Sequence, residues 1–149
     1  MAASPYDVAA PFDDDYVFTG RPIRIHLHTP SEHTVDGKSH DGEIHLVHEY
    51  QMKVVDEDGE EEYKKKKFIL AVFLSGDGTE ENTLVQGMID VWARKSESTV
   101  NMETLESDLN LVDFWFYEGS TTQPPCNTFY KWYVLETPLK ITSAQLEAI

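Results

Sequence analysis

The chain has 149 residues, with 27 acidic against 12 basic side chains, a net charge of −15 and a pI near 4.6. That balance excludes a phosphate-backbone partner, which needs clustered Lys and Arg, so no nucleic acid is expected. The longest apolar run, Phe68 to Leu74, is far too short to span a bilayer, and the N-terminus lacks a basic patch followed by an apolar stretch, so a soluble chain without a signal peptide is expected.

Hydrophobic content of 40% with 11% aromatic residues is enough to build the core of one domain. Residues 1–20 are rich in Ala, Pro and Asp, with Tyr16-Val17-Phe18 the one apolar cluster, and predict a poorly ordered leader. The domain proper is expected over 21–149. From Arg21 onward, alternation and β-branched content predict strands over about 23–29, 43–55, 66–75, 113–118 and 130–136. The acidic run Asp56 to Glu62 and the basic run Lys64 to Lys67 predict a solvated hairpin tip whose charges offset each other. Leu84, Met88, Ile89 and Trp92 recur at helical spacing, which predicts a core-facing helix from Thr83 to Lys95 capped near Asn82. Ser143 to Ile149 begins a second helix. The fold class is mainly β (α+β), with one or two short helices.

All six histidines lie between positions 26 and 48. In a strand His26 and His28 point the same way, with α-carbons roughly 6.5 Å apart. Turn residues around Asp36-Gly37-Lys38 and His40-Asp41-Gly42 can return the chain antiparallel, so that His45 faces the pair. Two half-buried strand histidines would explain the i, i+2 pair alone; the third, on a returning strand, points to metal. Three neutral imidazoles with an open fourth position are the ligand set of a catalytic zinc. His33 and His40 fall in the turn region and are expected to meet solvent or local backbone. His48 lies on the face opposite His45 and reads as a packed histidine.

Glu43 shares the face of His45 and could accept its second imidazole proton. Glu32 follows His28 closely and could orient a hydroxyl near the metal. Each, taken alone, reads equally well as an exposed glutamate. Far downstream, Thr121 and Thr122 precede Gln123-Pro124-Pro125, where proline stiffens the turn and fixes hydroxyl direction; a plain strand-ending turn would look the same. The lone Cys126 excludes an internal disulfide.

Taken together, His26-Leu27-His28, Pro30 to Lys38, Glu43 to His48 and Tyr117 to Cys126 resemble the α-class carbonic anhydrases, in the family's order and over about residues 21 to 149. Phe129 to Leu135 and Ser143 to Leu146 add weaker matches. The resemblance implies a large, mostly antiparallel sheet with zinc at the bottom of a conical cleft. It implies reversible hydration of CO2 to bicarbonate by zinc-bound hydroxide, with His26, His28 and His45 as ligands. Thr122 would accept a hydrogen bond from that hydroxide and donate its own to Glu32, while Glu43 orients His45. Val47, Ile69 and Trp132 would line the apolar pocket for CO2.

Several positions depart from the family pattern. Only 25 residues precede His26, and the chain ends before the family's last strands, so a domain incomplete at both ends is expected. No visible histidine takes the proton-shuttle role. Arg24 stands where the family usually has a glutamine that accepts a proton from the first zinc histidine, and arginine only donates. Thr121 and Gln123 replace the more frequent Leu and Thr. Missing strands would leave edges uncovered, which predicts self-association. A non-catalytic or weakly active carbonic-anhydrase-like zinc module is the main alternative. A cupin-type metal enzyme is a minor one, from His26-x-His28-x-x-x-Glu32 with iron or manganese.

Overall fold

The computed structural model describes residues 8–9, 19–55, 58–93, 100 and 108–149. Six strands form one sheet: β1 (Val8–Ala9), β2 (Thr19–His28), β5 (Gly42–Val55), β6 (Glu61–Ser75), β8 (Tyr130–Lys140) and β7 (Phe114–Gly119), in the spatial order β1-β2-β5-β6-β8-β7. Only the β6–β8 pairing is parallel; the others are antiparallel. A small hairpin, β3 (Thr34–Val35) and β4 (Lys38–Ser39), closes on Asp36 and Gly37. Both have positive φ, +51° and +75°, as a two-residue type I′ turn requires.

The period-2 alternation of the central strands divides the molecule into two layers. Ile44 and Leu46 of β5 and Leu70, Val72 and Leu74 of β6 point to one face, where helix α1 (Thr83–Trp92) covers them with Leu84, Val85 and Met88. Each such side chain, fully buried, contributes about 1.5–3 kcal/mol. On the opposite face Val47, Ile69, Ala71, Phe73, Trp132 and Val134 form a second apolar cluster. The histidine trio sits on this second face.

Asn82 caps α1 by accepting the Val85 amide at 3.1 Å. Gln145 of α2 (Ser143–Glu147) then clasps the Asn82 backbone, accepting its N–H and donating to its C=O at 2.9 Å each. Trp92, expected in the core, is 49% exposed at the last position of α1, and the buried face of the helix is made by Leu84, Val85 and Met88. Of the helix expected to Lys95, residues 94–95 lie outside the described residues, as does most of the leader expected over 1–20. Within that stretch Val8–Ala9 pairs with Thr19–Gly20.

The charged segment meets expectation in part. The hairpin end is solvated and its charges offset, as expected, but Glu61 to Lys65 extend β6 beyond the strand expected from 66, and Glu61 to Lys67 pair residue for residue with Glu49 to Val55. The Lys53–Glu61 pair and the Lys65–Glu49 pair at 3.1 Å bind the two strands across an otherwise polar ribbon.

Candidate metal centre

The register explains how three histidines meet. His26 of β2 stands directly opposite His45 of β5, and His28 stands opposite Glu43. One row further along the same face, Arg24, Val47, Ile69 and Trp132 stand in line across β2, β5, β6 and β8. A histidine row and a row that is apolar from Val47 to Trp132 are therefore neighbours on one surface, about 6.8 Å apart by strand geometry.

The three rings converge, with centroids 5.0, 5.0 and 4.6 Å apart. One nitrogen of each lies within 4.8 Å of the others. His45 presents Nδ1 to the centre, because its Nε2–H donates to Glu43 Oε1 at 2.8 Å. His28 directs Nδ1 at Glu32 Oε1, 3.4 Å away, and leaves Nε2 buried without a hydrogen-bond partner. His26 Nε2 lies 3.3 Å from His45 Nδ1. Zinc–nitrogen bonds of 2.0–2.1 Å at tetrahedral angles set ligand nitrogens roughly 3.3–3.4 Å apart. The separation and the orphaned Nε2 both fit a zinc ion bound to His26, His28 and His45.

For His26 and His28 burial disfavours the charged form, and the neutral imidazole is the form a metal needs. Burial, followed by the neighbouring His45 and Arg24 charges, lowers His26 to about 4. Burial and His45 also lower His28. Glu43 is fully buried. Burial alone would raise its carboxyl, but hydrogen bonds from the His33 ring, His45 and the His33 amide hold it below the usual carboxylate range.

His33, expected to meet solvent or local backbone, instead donates from its ring to Glu43 and from its amide N–H to Glu43 Oε2 at 2.9 Å. With Nδ1 donating, His33 Nε2 accepts from the Tyr117 hydroxyl at 2.7 Å. Tyr117, pushed up to about 12 by burial and then by Glu43 and Glu32, remains a protonated donor. A single chain of donors, Tyr117 to His33 to Glu43 and His45 to Glu43, thus fixes the His45 tautomer. Sequence reasoning gave Tyr117 no role of its own, and nothing local places it against a histidine 84 positions away. His40 stacks on Phe73 at 4.1 Å and donates its amide to Ser31 Oγ. His48 is buried, stacked on Phe68, with Nδ1 at the Leu46 carbonyl.

The loop after β7 brings Thr122 to the site. Trp132 Nε1–H donates to the Ser120 carbonyl at 3.1 Å, and Thr121 N–H donates to the Asn127 carbonyl at 2.9 Å. A cavity of about 140 Å³ opens between this loop and the sheet, lined by His26, His45, Val47, Ile69, Thr122 and Trp132 among others. Among the described residues, Thr122 makes no hydrogen bond to Glu32, whose carboxylate turns toward His28. His26 Nδ1 is buried without a partner. The Arg24 guanidinium instead reaches Gln123 Oε1 at 3.2 Å. Cys126 is free and exposed.

The described residues thus form a mixed sheet that sets three converging histidines, able to hold a metal ion, beside an apolar row. The family model for eukaryotic-type carbonic anhydrase matches residues 10–149. The chain belongs to that family. It is 32% identical to carbonic anhydrase 4 of Rattus norvegicus over 89% of this chain and 49% of that protein. It is 30% identical to a carbonic anhydrase of Klebsiella pneumoniae over 89% of this chain and 51% of the relative. The α-carbonic anhydrase of Thermovibrio ammonificans, solved with the inhibitor sulfanilamide, superposes with a TM-score of 0.60 at 27% identity, over 88% of this chain and 54% of that one. The chain thus spans about half the length of the curated relatives it matches. Family membership and fold remove the cupin alternative. Among the described residues, no helix is long and apolar enough to cross a membrane.

Proposed function

We propose that this chain catalyses the reversible hydration of carbon dioxide to bicarbonate at a zinc ion held by His26, His28 and His45. The observation that carries the reading is the 3.3 Å approach of His26 Nε2 to His45 Nδ1 beside the buried, unpartnered His28 Nε2. The chemistry such an ion supplies when bound is acidification of water, whose pKa falls from 15.7 to about 7.

The protein's own residues do the rest. Glu43 keeps the His45 proton on Nε2, so the Nδ1 lone pair faces the centre. Val47, Ile69 and Trp132 exclude water from the neighbouring row and offer CO2 an apolar wall, which orients its carbon toward the nucleophile. Thr122 accepts a hydrogen bond from the attacking oxygen and donates its own to Glu32 once that carboxylate turns away from His28. Bicarbonate then leaves past Arg24 and Gln123.

One observation favours a weakly active or non-catalytic zinc module: His26 Nδ1 has no acceptor, so the first ligand lacks the carboxylate contact that the other two possess. Stopped-flow CO2 hydration separates the readings. The zinc-loaded chain is expected to turn over and to stop on chelation. Stoichiometric tight zinc without chelator-sensitive turnover would leave only the binding module.

A further inference from the structure

The pocket carries a positive charge to which the hydration reading gives no binding role. In a chain of net charge −15, two of its lining residues are the cations Arg24 and Lys67. Among the described residues neither has a carboxylate partner. Glu49 faces Lys67 in register but directs its carboxylate to Lys65 at 3.1 Å. Arg24 donates only to the neutral Gln123 amide oxygen. That bond fixes the guanidinium at the rim and turns the Gln123 NH2 group, a second donor, outward from it. The two cations lie on strands two apart, one pleat offset, so their α-carbons are about 12 Å apart by strand geometry. That gap is within the combined reach of two long side chains closing on one small ion.

We propose that Arg24, Lys67 and Gln123 form an anion subsite at the mouth of the histidine pocket, one that takes a small planar oxyanion of the bicarbonate or carboxylate type. The proposal deepens the hydration reading, whose product is such an ion, and rests on that reading for its biological sense. Its physical basis is independent of the metal. A bidentate guanidinium matches a planar oxyanion, and a nearby ammonium adds a point charge. Because the rim is exposed, each cation contributes modestly and the affinity falls as ionic strength rises.

The test uses the full chain, zinc-loaded and metal-free, at mildly alkaline pH and fixed ionic strength. Melting temperature is followed against sodium bicarbonate, against sodium acetate and against chloride as the control. The metal-free chain is expected to be stabilised by bicarbonate beyond chloride. Arg24→Gln and Lys67→Gln are each expected to weaken that affinity about fivefold, and Arg24→Lys to recover only part of the loss, since an ammonium keeps the charge and gives up the two-pronged fit. Equal response to acetate assigns the subsite to planar carboxylates in general; a stronger response to bicarbonate assigns it to the product. No stabilisation beyond chloride, or unchanged affinity in both Gln variants, overturns the proposal. If the zinc-loaded chain fails to hydrate CO2 while metal-free binding remains charge-dependent, the hydration reading falls and the subsite stands. Normal hydration with charge-independent binding removes the subsite and leaves the hydration reading in place.

Discussion

Glu43 is the most informative residue to perturb, because it is fully buried and its two oxygens serve three donors. Oε1 accepts from the His33 and His45 rings, and Oε2 accepts from the His33 amide. Glu43→Gln keeps the shape but replaces an acceptor-only group with one acceptor and one donor. If the amide oxygen occupies the Oε1 position, the NH2 group confronts the His33 N–H, and two buried donors oppose each other. If the amide flips, NH2 confronts both rings, and His45 can accept it only by moving its own proton to Nδ1. That proton would then sit on the nitrogen that faces the metal. Either arrangement loses at least one charge-assisted bond worth about 1.5–3 kcal/mol. Metal-free stability is therefore expected to fall by about 3 kcal/mol, or about 6–12 °C in melting temperature at the usual slope for this chain length. Zinc affinity, read by competition with a chelator, is expected to fall about 10–100-fold, the range for removing the partner of a ligand histidine. Affinity within about twofold of the native chain would refute the tautomer argument, since such partners ordinarily matter by at least tenfold.

Other outcomes follow from the same geometry. Val47→Tyr should fill the cavity beside the histidines, lowering CO2 hydration by ~100-fold while leaving bound zinc per chain unchanged; parallel loss of zinc would contradict separate metal and substrate rows. Metal-free stability should fall as pH drops through the window from 6.5 toward about 4. There unfolded imidazoles take up protons that folded His26 and His28 do not, and the unfolded state gains. The depressed Glu43 carboxyl acts in the same direction at still lower pH; denaturant titrations with a pH-independent midpoint across that window would count against it. Edge strand β7 exposes Trp115 at 43% and Phe116 at 50%, and the following loop exposes Phe129 at 84%. Light scattering of this chain should therefore reveal self-association, whereas a monodisperse monomer with a cooperative melt would contradict it.

How much of the molecule is legible in its sequence depends on whether local pattern or tertiary contact decides each feature. Strand parity in β5 puts His45 and Val47 on one face and Ile44 and Leu46 on the other, so that division is readable, whereas the unbroken apolar run of β6 announces a doubly buried strand without telling its faces apart. The cap at Asn82 is readable too, because its side chain acts within three residues. The extension of β6 through Glu61 to Lys65 is not, since its signal is cross-strand ion pairing to β5 and not hydrophobic period. His33 escapes for a similar reason. Its neighbours in sequence are polar turn residues, and its partners Glu43 and Tyr117 lie 10 and 84 positions away. The Arg24–Gln123 contact spans 99 positions. Each of these two residues stands out as a departure from the family pattern, but nothing local tells that the two departures touch.

The most direct measurement is X-ray absorption at the zinc edge on natively purified chain, with the metal counted per protein. One zinc per chain is expected, with three imidazole nitrogens and one light-atom ligand at about 2.0–2.1 Å. His45→Ala should abolish the three-imidazole signature. A sulfur scatterer, fewer than three imidazoles, or an unchanged spectrum in His45→Ala would contradict convergence of His26, His28 and His45 on one ion.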